Sequence, residues 1–258
     1  MRTLLTALAA ATILTAASAA PALAGPPFQT DDPDPTPYRF YEIYLNTQLV
    51  HDAGSVTGTL PALEVNYGAL PNVQVSLTTQ LSTNYAASPM PWIGYGDTEL
   101  AVKLRFIQET KSRPQIAFYP AVVMPTGNAA AQLGGGYAKS FFPLWAQKDV
   151  GRWTVFGGGG VWHNPGPGNR DYTFSGLAAE RSVGEKWTYG GEIFHSSPDT
   201  IGGRASTGFS VGSIHNIDPR HQVLFSVGRS LGAQNVLNVY AAYELYLGPK
   251  NAAGQEPN

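Results

Sequence analysis

The chain has 258 residues, a formal net charge of −2 and only 13% charged residues. Such a near-neutral balance excludes a nucleic-acid binder built on a basic face. The absence of cysteine excludes disulfides and a lipid-anchoring thiol. No run of about 18 apolar residues follows the first 24, so a transmembrane helix is excluded, whereas membrane-crossing strands are not.

The N-terminus reads as a signal peptide over residues 1–24. Met1-Arg2 supplies a positive start, Leu4 to Ala20 is apolar and small, and Ala22-Leu23-Ala24 fits the small-x-small cleavage rule, so the mature chain starts at Gly25. A buried N-terminal helix is the competing reading. Residues 25–36 cannot form a strand, because four prolines remove ladder donors. They are expected to form a Pro/Asp-rich arm on the periplasmic side carrying Asp31, Asp32 and Asp34. That arm is either a flexible linker or a plug drawn into the barrel mouth by inward cations. A calcium site on the three aspartates lacks further ligands.

Residues 37–247 alternate apolar and polar runs with two kinds of connection. The short ones are 68–72, 108–114, 149–152, 182–186 and 216–220, and the longer ones are 50–58, 82–96, 125–139, 163–171, 195–203 and 230–236. Five short and six long connections in strict alternation join twelve strands. Segregated loop lengths predict an all-β fold, an antiparallel up-and-down transmembrane barrel with short periplasmic turns and longer extracellular loops. Residues 248–258 are a polar tail.

Individual strands can be read by face. Val73, Val75, Leu77 and Leu81 oppose Gln74, Ser76, Thr78 and Gln80; Leu100, Val102, Leu104 and Phe106 oppose Asp97, Glu99, Lys103 and Arg105. In the last strand Val239, Ala241, Tyr243, Leu245 and Leu247 oppose Asn238, Tyr240, Glu244 and Tyr246. A soluble sheet with one wet face shows the same alternation, and loop asymmetry, leader and aromatic strand ends separate the two. Tyr38, Tyr41, Tyr67, Phe106, Trp153, Trp187, Tyr189, Tyr243 and Tyr246 lie near the turn side, where an interfacial aromatic girdle belongs.

Charges avoid lipid, so they belong in the lumen. Glu42, Glu64 and Glu244 are expected inside at similar depth across the closure of first and last strands, facing Lys103 and Arg105, with Glu99 and Glu192 also inward. Such a cluster either stiffens the barrel as a salt-bridge network or forms a charged constriction.

Catalytic patterns are thin. His51, His163, His195, His215 and His221 show no close metal-ligand spacing, although His215 and His221 flank a turn. Glu192, His195, Ser196 and Ser197 include the types a serine hydrolase needs, but at a strand-to-loop junction and without GxSxG. Gly157 to Gly160 fall mid-strand, where small residues admit a bend or a close neighbour rather than a phosphate. The expected reading has no enzyme activity, metal or cofactor.

The segments Pro27-Phe28-Gln29-Thr30-Asp31-Asp32-Pro33 and Tyr41-Glu42-Ile43-Tyr44 resemble the mature start of a bacterial family of outer-membrane proteins named for the meta-pathway of phenol degradation. Gly94-Tyr95-Gly96-Asp97, Lys103-Leu104-Arg105-Phe106, Met124-Pro125-Thr126-Gly127, Glu192 in a Gly-rich strand and Ser226-Val227-Gly228-Arg229 extend the likeness over nearly the whole mature chain. The chain departs from outer-membrane habit in ending its last strand at Leu247 with eleven residues after it. The resemblance implies a barrel and uptake of small organic molecules, aromatic ones included. The expected function is a narrow outer-membrane channel or passive transporter. Its partners would be outer-membrane lipid, small organic solutes and, during biogenesis, the barrel-assembly machinery. A non-conducting structural or surface-interaction barrel and a barrel hydrolase are the alternatives.

Overall fold

The computed structural model describes residues 27–52, 55–85, 92–231 and 236–249. The expected signal peptide and most of the C-terminal tail lie outside them. Twelve antiparallel strands close into one up-and-down barrel. They are β1 (Tyr41–Asp52), β2 (Ser55–Leu70), β3 (Val73–Tyr85), β4 (Trp92–Tyr95 and Thr98–Ile107), β5 (Gln115–Phe118 and Ala121–Met124), β6 (Lys139–Val150), β7 (Trp153–His163), β8 (Tyr172–Val183), β9 (Trp187–Ser196), β10 (Ser206–Asp218), β11 (His221–Leu231) and β12 (Leu237–Leu247). β1 closes on β12 with Tyr41 opposite Leu247 and His51 opposite Leu237.

Period-two alternation sets the two faces. Leu77, Leu100, Leu104, Phe142, Leu177, Ile193 and Val211 are exposed on the outside, while Gln74, Ser76, Lys103, Glu180, Glu192 and Glu244 are buried inside. An apolar exterior with polar residues inside suits lipid around the barrel, because apolar surface then needs no partner element. Near the turn end, Tyr41 stacks on Tyr67 at 4.5 Å and Trp187 on Tyr189 at 5.6 Å. Tyr246, expected in this girdle, instead points inward, is buried and stacks on Phe40 at 5.2 Å. Its register explains this, since it shares the inward face of β12 with Glu244.

The first expected long connection, 50–58, is mostly strand. Val50 pairs with Thr57 and Asp52 with Ser55, so the ladder runs through most of this segment. Gly58 permits this ladder, since a Cβ there would lie 1.9 Å from the Gln48 carbonyl oxygen. The loop over 125–138 carries a 3-10 turn at Ala129–Ala131. Asp97 fastens it, accepting from the Gly127 amide at 3.0 Å and the Gly135 amide at 2.7 Å, and Thr126 donates to the Gly96 carbonyl at 3.0 Å. The two short motifs around Asp97 and Thr126 thus form one latch at the loop end.

Candidate functional site

The segment 27–37 does not hang below the barrel. It packs against inward-facing side chains from mid-barrel to the turn end, then leads into β1. Glu192 holds its deepest part. The Gln29 amide donates to Oε1 at 3.0 Å, the Thr30 amide and hydroxyl donate to Oε2 at 2.9 and 2.7 Å, and Ser210 Oγ donates to Oε1 at 2.9 Å. Four donors satisfy a buried carboxylate that would otherwise be costly. Ser226 Oγ donates to the Pro27 carbonyl.

Small inward residues make room for this segment. A Cβ at Gly176 would lie 2.0 Å from the Thr30 hydroxyl oxygen, and one at Gly190 or Gly212 would lie 3.1 Å from the Phe28 ring. Glycine here supplies space for a neighbouring chain.

Nearer the turn end the contacts become ionic. Lys103, 4% exposed, sits 3.0 Å from Asp31 and 3.6 Å from Asp32, donates to the Asp34 carbonyl at 3.4 Å, and lies 4.7 Å above the Tyr119 ring. Arg105 pairs with Asp34, and donates to Gln115 at 2.8 Å and to Asn72 at 2.9 and 3.1 Å. The Thr36 amide donates to Gln74 at 2.7 Å and its hydroxyl to Glu42 at 2.9 Å. Burial pushes the Asp32 carboxyl up to about 7, with Lys103 opposing the rise. Burial also raises Asp34, against the pull of Arg105.

Lys103 and Arg105, expected to face Glu42, Glu64 and Glu244, make their ion pairs with the aspartates of the arm. The arm places three aspartates nearer to Lys103 and Arg105 than the wall glutamates are. Glu64 instead accepts from Asn66 Nδ2 at 2.9 Å. Tyr44 stands opposite both Glu64 and Glu244 in the ladder, so these two share one level, and Glu42 sits two residues nearer the turn end.

Among the described residues, a larger and a smaller cavity border the arm. The larger, about 940 Å³, includes Asp31, Glu42, Glu64, Glu99, Lys103 and Arg105 in its lining. The smaller, about 480 Å³, lies toward the loop end between Phe28 and the rings of Phe141, Trp162 and Phe174. Phe28, Gln29, Gln48, Glu99 and Tyr240 border both. Glu180, which sequence reasoning overlooked, lines the larger one, and parity along β8 would have found it. The groove glycines carry no comparable signal.

The catalytic constellation does not assemble. Glu192 faces the lumen, whereas His195, three residues on, takes the opposite face and meets Thr207 at 2.8 Å. Ser197 Oγ accepts from the Thr173 amide at 2.9 Å, and Ser196 lines the smaller cavity. His215 packs on Trp187 with ring centres 4.1 Å apart, while His221 bonds the Tyr243 hydroxyl. His163 lies 3.1 Å from Asp171 across a loop, and His51 is exposed near the end of β1. Among the described residues no group of three His, Asp or Glu side chains could hold a metal ion.

No family model and no curated protein matches the chain. Solved structures do. The COG4313 outer membrane channel from Pseudomonas putida F1 superposes with a TM-score of 0.65 at 15% identity, covering 83% of this chain and 97% of that one. The NanC porin gives 0.57 at 8% identity over 80% of this chain and 99% of its own. The KdgM porin in complex with oligogalacturonate gives 0.55 at 8% identity over 79% and 98%. At these identities the likeness is one of fold: the chain shares the closed antiparallel β-barrel of these outer-membrane proteins.

Proposed function

We propose that the protein is an outer-membrane channel or passive transporter for small organic molecules, with the segment 27–36 acting as a plug that narrows its turn-side mouth. The observation that carries the reading is the pair of cavities inside a closed barrel, bordered by the arm and together large enough for a small organic solute. Twelve strands fall between small barrels of about eight, which side chains fill, and porins of sixteen or more. The channel and porin folds that superpose on this one support the role, as does the apolar exterior. The solute class follows from the family resemblance. Lipid around the exterior and the barrel-assembly machinery during biogenesis complete the proposed setting.

The same arm supports a second reading, a non-conducting barrel, because its contacts with Glu192, Lys103 and Arg105 tie it to the wall. Swelling of liposomes carrying the purified protein in small sugars or amino acids separates the two. The channel reading expects swelling above protein-free liposomes. Swelling equal to theirs, with and without the arm, contradicts it.

A further inference from the structure

The loop-end half of the lumen has an aromatic wall where a water-facing barrel interior would ordinarily be polar. Phe141 of β6, Trp162 of β7 and Tyr172 and Phe174 of β8 all point inward. Phe141 stacks on Trp162 at 4.6 Å with an interplanar angle of 8°, Trp162 on Tyr172 at 5.8 Å and 10°, and Phe174 meets Phe141 edge-on at 6.5 Å and 80°. All four are only partly buried and line the 480 Å³ cavity. Its far side, from strands half a turn of the barrel away, is polar, with Gln48, Asn238 and the phenol of Tyr240. The partly buried rings thus offer apolar aromatic surface to a flat guest, and hydrogen-bonding groups stand across from them.

A second observation selects the guest's charge. Nine carboxylates line the larger cavity against three cations, Lys103, Arg105 and Arg152. Lys103 and Arg105 pair with Asp31, Asp32 and Asp34, and setting both sides aside leaves six carboxylates against Arg152. Glu99 borders both cavities, so the acidic surplus extends to the edge of the aromatic cleft. A lumen of one sign concentrates solutes of the other. Aromatic faces add attraction for an ammonium group.

We propose that this cleft is a binding station for planar aromatic solutes, ordered by charge: aromatic ammonium ions first, neutral aromatic alcohols next, aromatic carboxylates excluded. The proposal rests on the channel reading only in that a solute must reach the lumen.

Equilibrium dialysis against the detergent-folded full chain, with empty micelles as the blank, tests it without requiring conduction. The probes are benzylammonium, benzyl alcohol, benzoate and the non-aromatic cyclohexylmethylammonium. Benzylammonium should bind most tightly, with cyclohexylmethylammonium about fivefold weaker and benzoate not above the blank. Phe174→Leu and Trp162→Leu, each checked for folding by heat-shifted gel mobility, should each weaken benzylammonium by about fivefold. Glu99→Gln should weaken it by about threefold while leaving benzyl alcohol unchanged. Benzoate binding as tightly as benzylammonium, or unchanged binding in both leucine variants, overturns the station. A protein that binds benzylammonium in this pattern but passes no current overturns the channel reading alone.

Discussion

The two halves of the lumen hold their contents by different physics. At the turn end, Lys103 and Arg105 engage Asp31, Asp32 and Asp34 in a polar network in which Gln74, Asn72 and Gln115 complete the hydrogen bonds. Toward the loop end the walls meet through rings: Phe141, Trp145, Trp162, Phe174 and Phe194 contact one another edge-on or stacked, and Trp145 is 2% exposed. The arm joins the two, with aspartates at one end and Phe28 at the other. Ionic contacts specify position, because a misplaced buried charge is expensive. Aromatic contacts tolerate sliding and, where the rings are only partly buried, still offer surface to the lumen. The charged half is therefore suited to fastening the arm and the aromatic half to receiving a guest.

That contrast can be broken most strongly at Lys103. Lys103→Met leaves Asp32 buried without its cation, and removing one partner of a buried pair costs about 3–5 kcal/mol. The arm should become accessible to added protease, measured as cleavage between residues 27 and 36 in the detergent-folded protein. Glu192→Gln should come next. One acceptor oxygen is replaced by an amide that faces either the donors of Gln29 and Ser210 or the two of Thr30, at a cost of about 2–3 kcal/mol. Cleavage should rise, but less than for Lys103→Met. Equal or reversed effects would mean that the ionic end is not the stronger fastening.

A change of pH should give the smallest effect and sharpens the same comparison. Asp32, facing Lys103, Asp31 and Asp34, is raised from 3.8 to about 7 by burial. A raised carboxyl contributes stability that is fully present below the undocked value and is lost as pH rises through about 7. Protease access to the arm should therefore grow by about tenfold between pH 6 and pH 8. Asp32→Asn should flatten that dependence.

The sequence carried the barrel more completely than the site. Alternation along β3, β4 and β12 placed Gln74, Lys103 and Glu244 inside, because period two is a local property that short segments display. Tyr246 shows the limit of composition: an aromatic residue near a strand end resembles a girdle residue until register decides its face. The 50–58 segment misled because Gly and Ser read as loop, whereas here Ser55 and Gly58 stand in the β1–β2 ladder. The arm's anchors were hardest to see. Glu192 lies 162 residues from Thr30, and the groove at Gly176, Gly190 and Gly212 exists only once β8, β9 and β10 stand side by side around Phe28. No local pattern reports a distance of that kind.

The most direct test of the plug is single-channel conductance in planar bilayers, comparing the intact protein with one lacking residues 26–35, alongside the double variant Lys103→Glu with Arg105→Glu. The account predicts that both changes raise conductance by similar factors, because one removes the arm and the other repels its aspartates. Conductance unchanged from that of the intact protein in both would contradict it and leave the arm a tether.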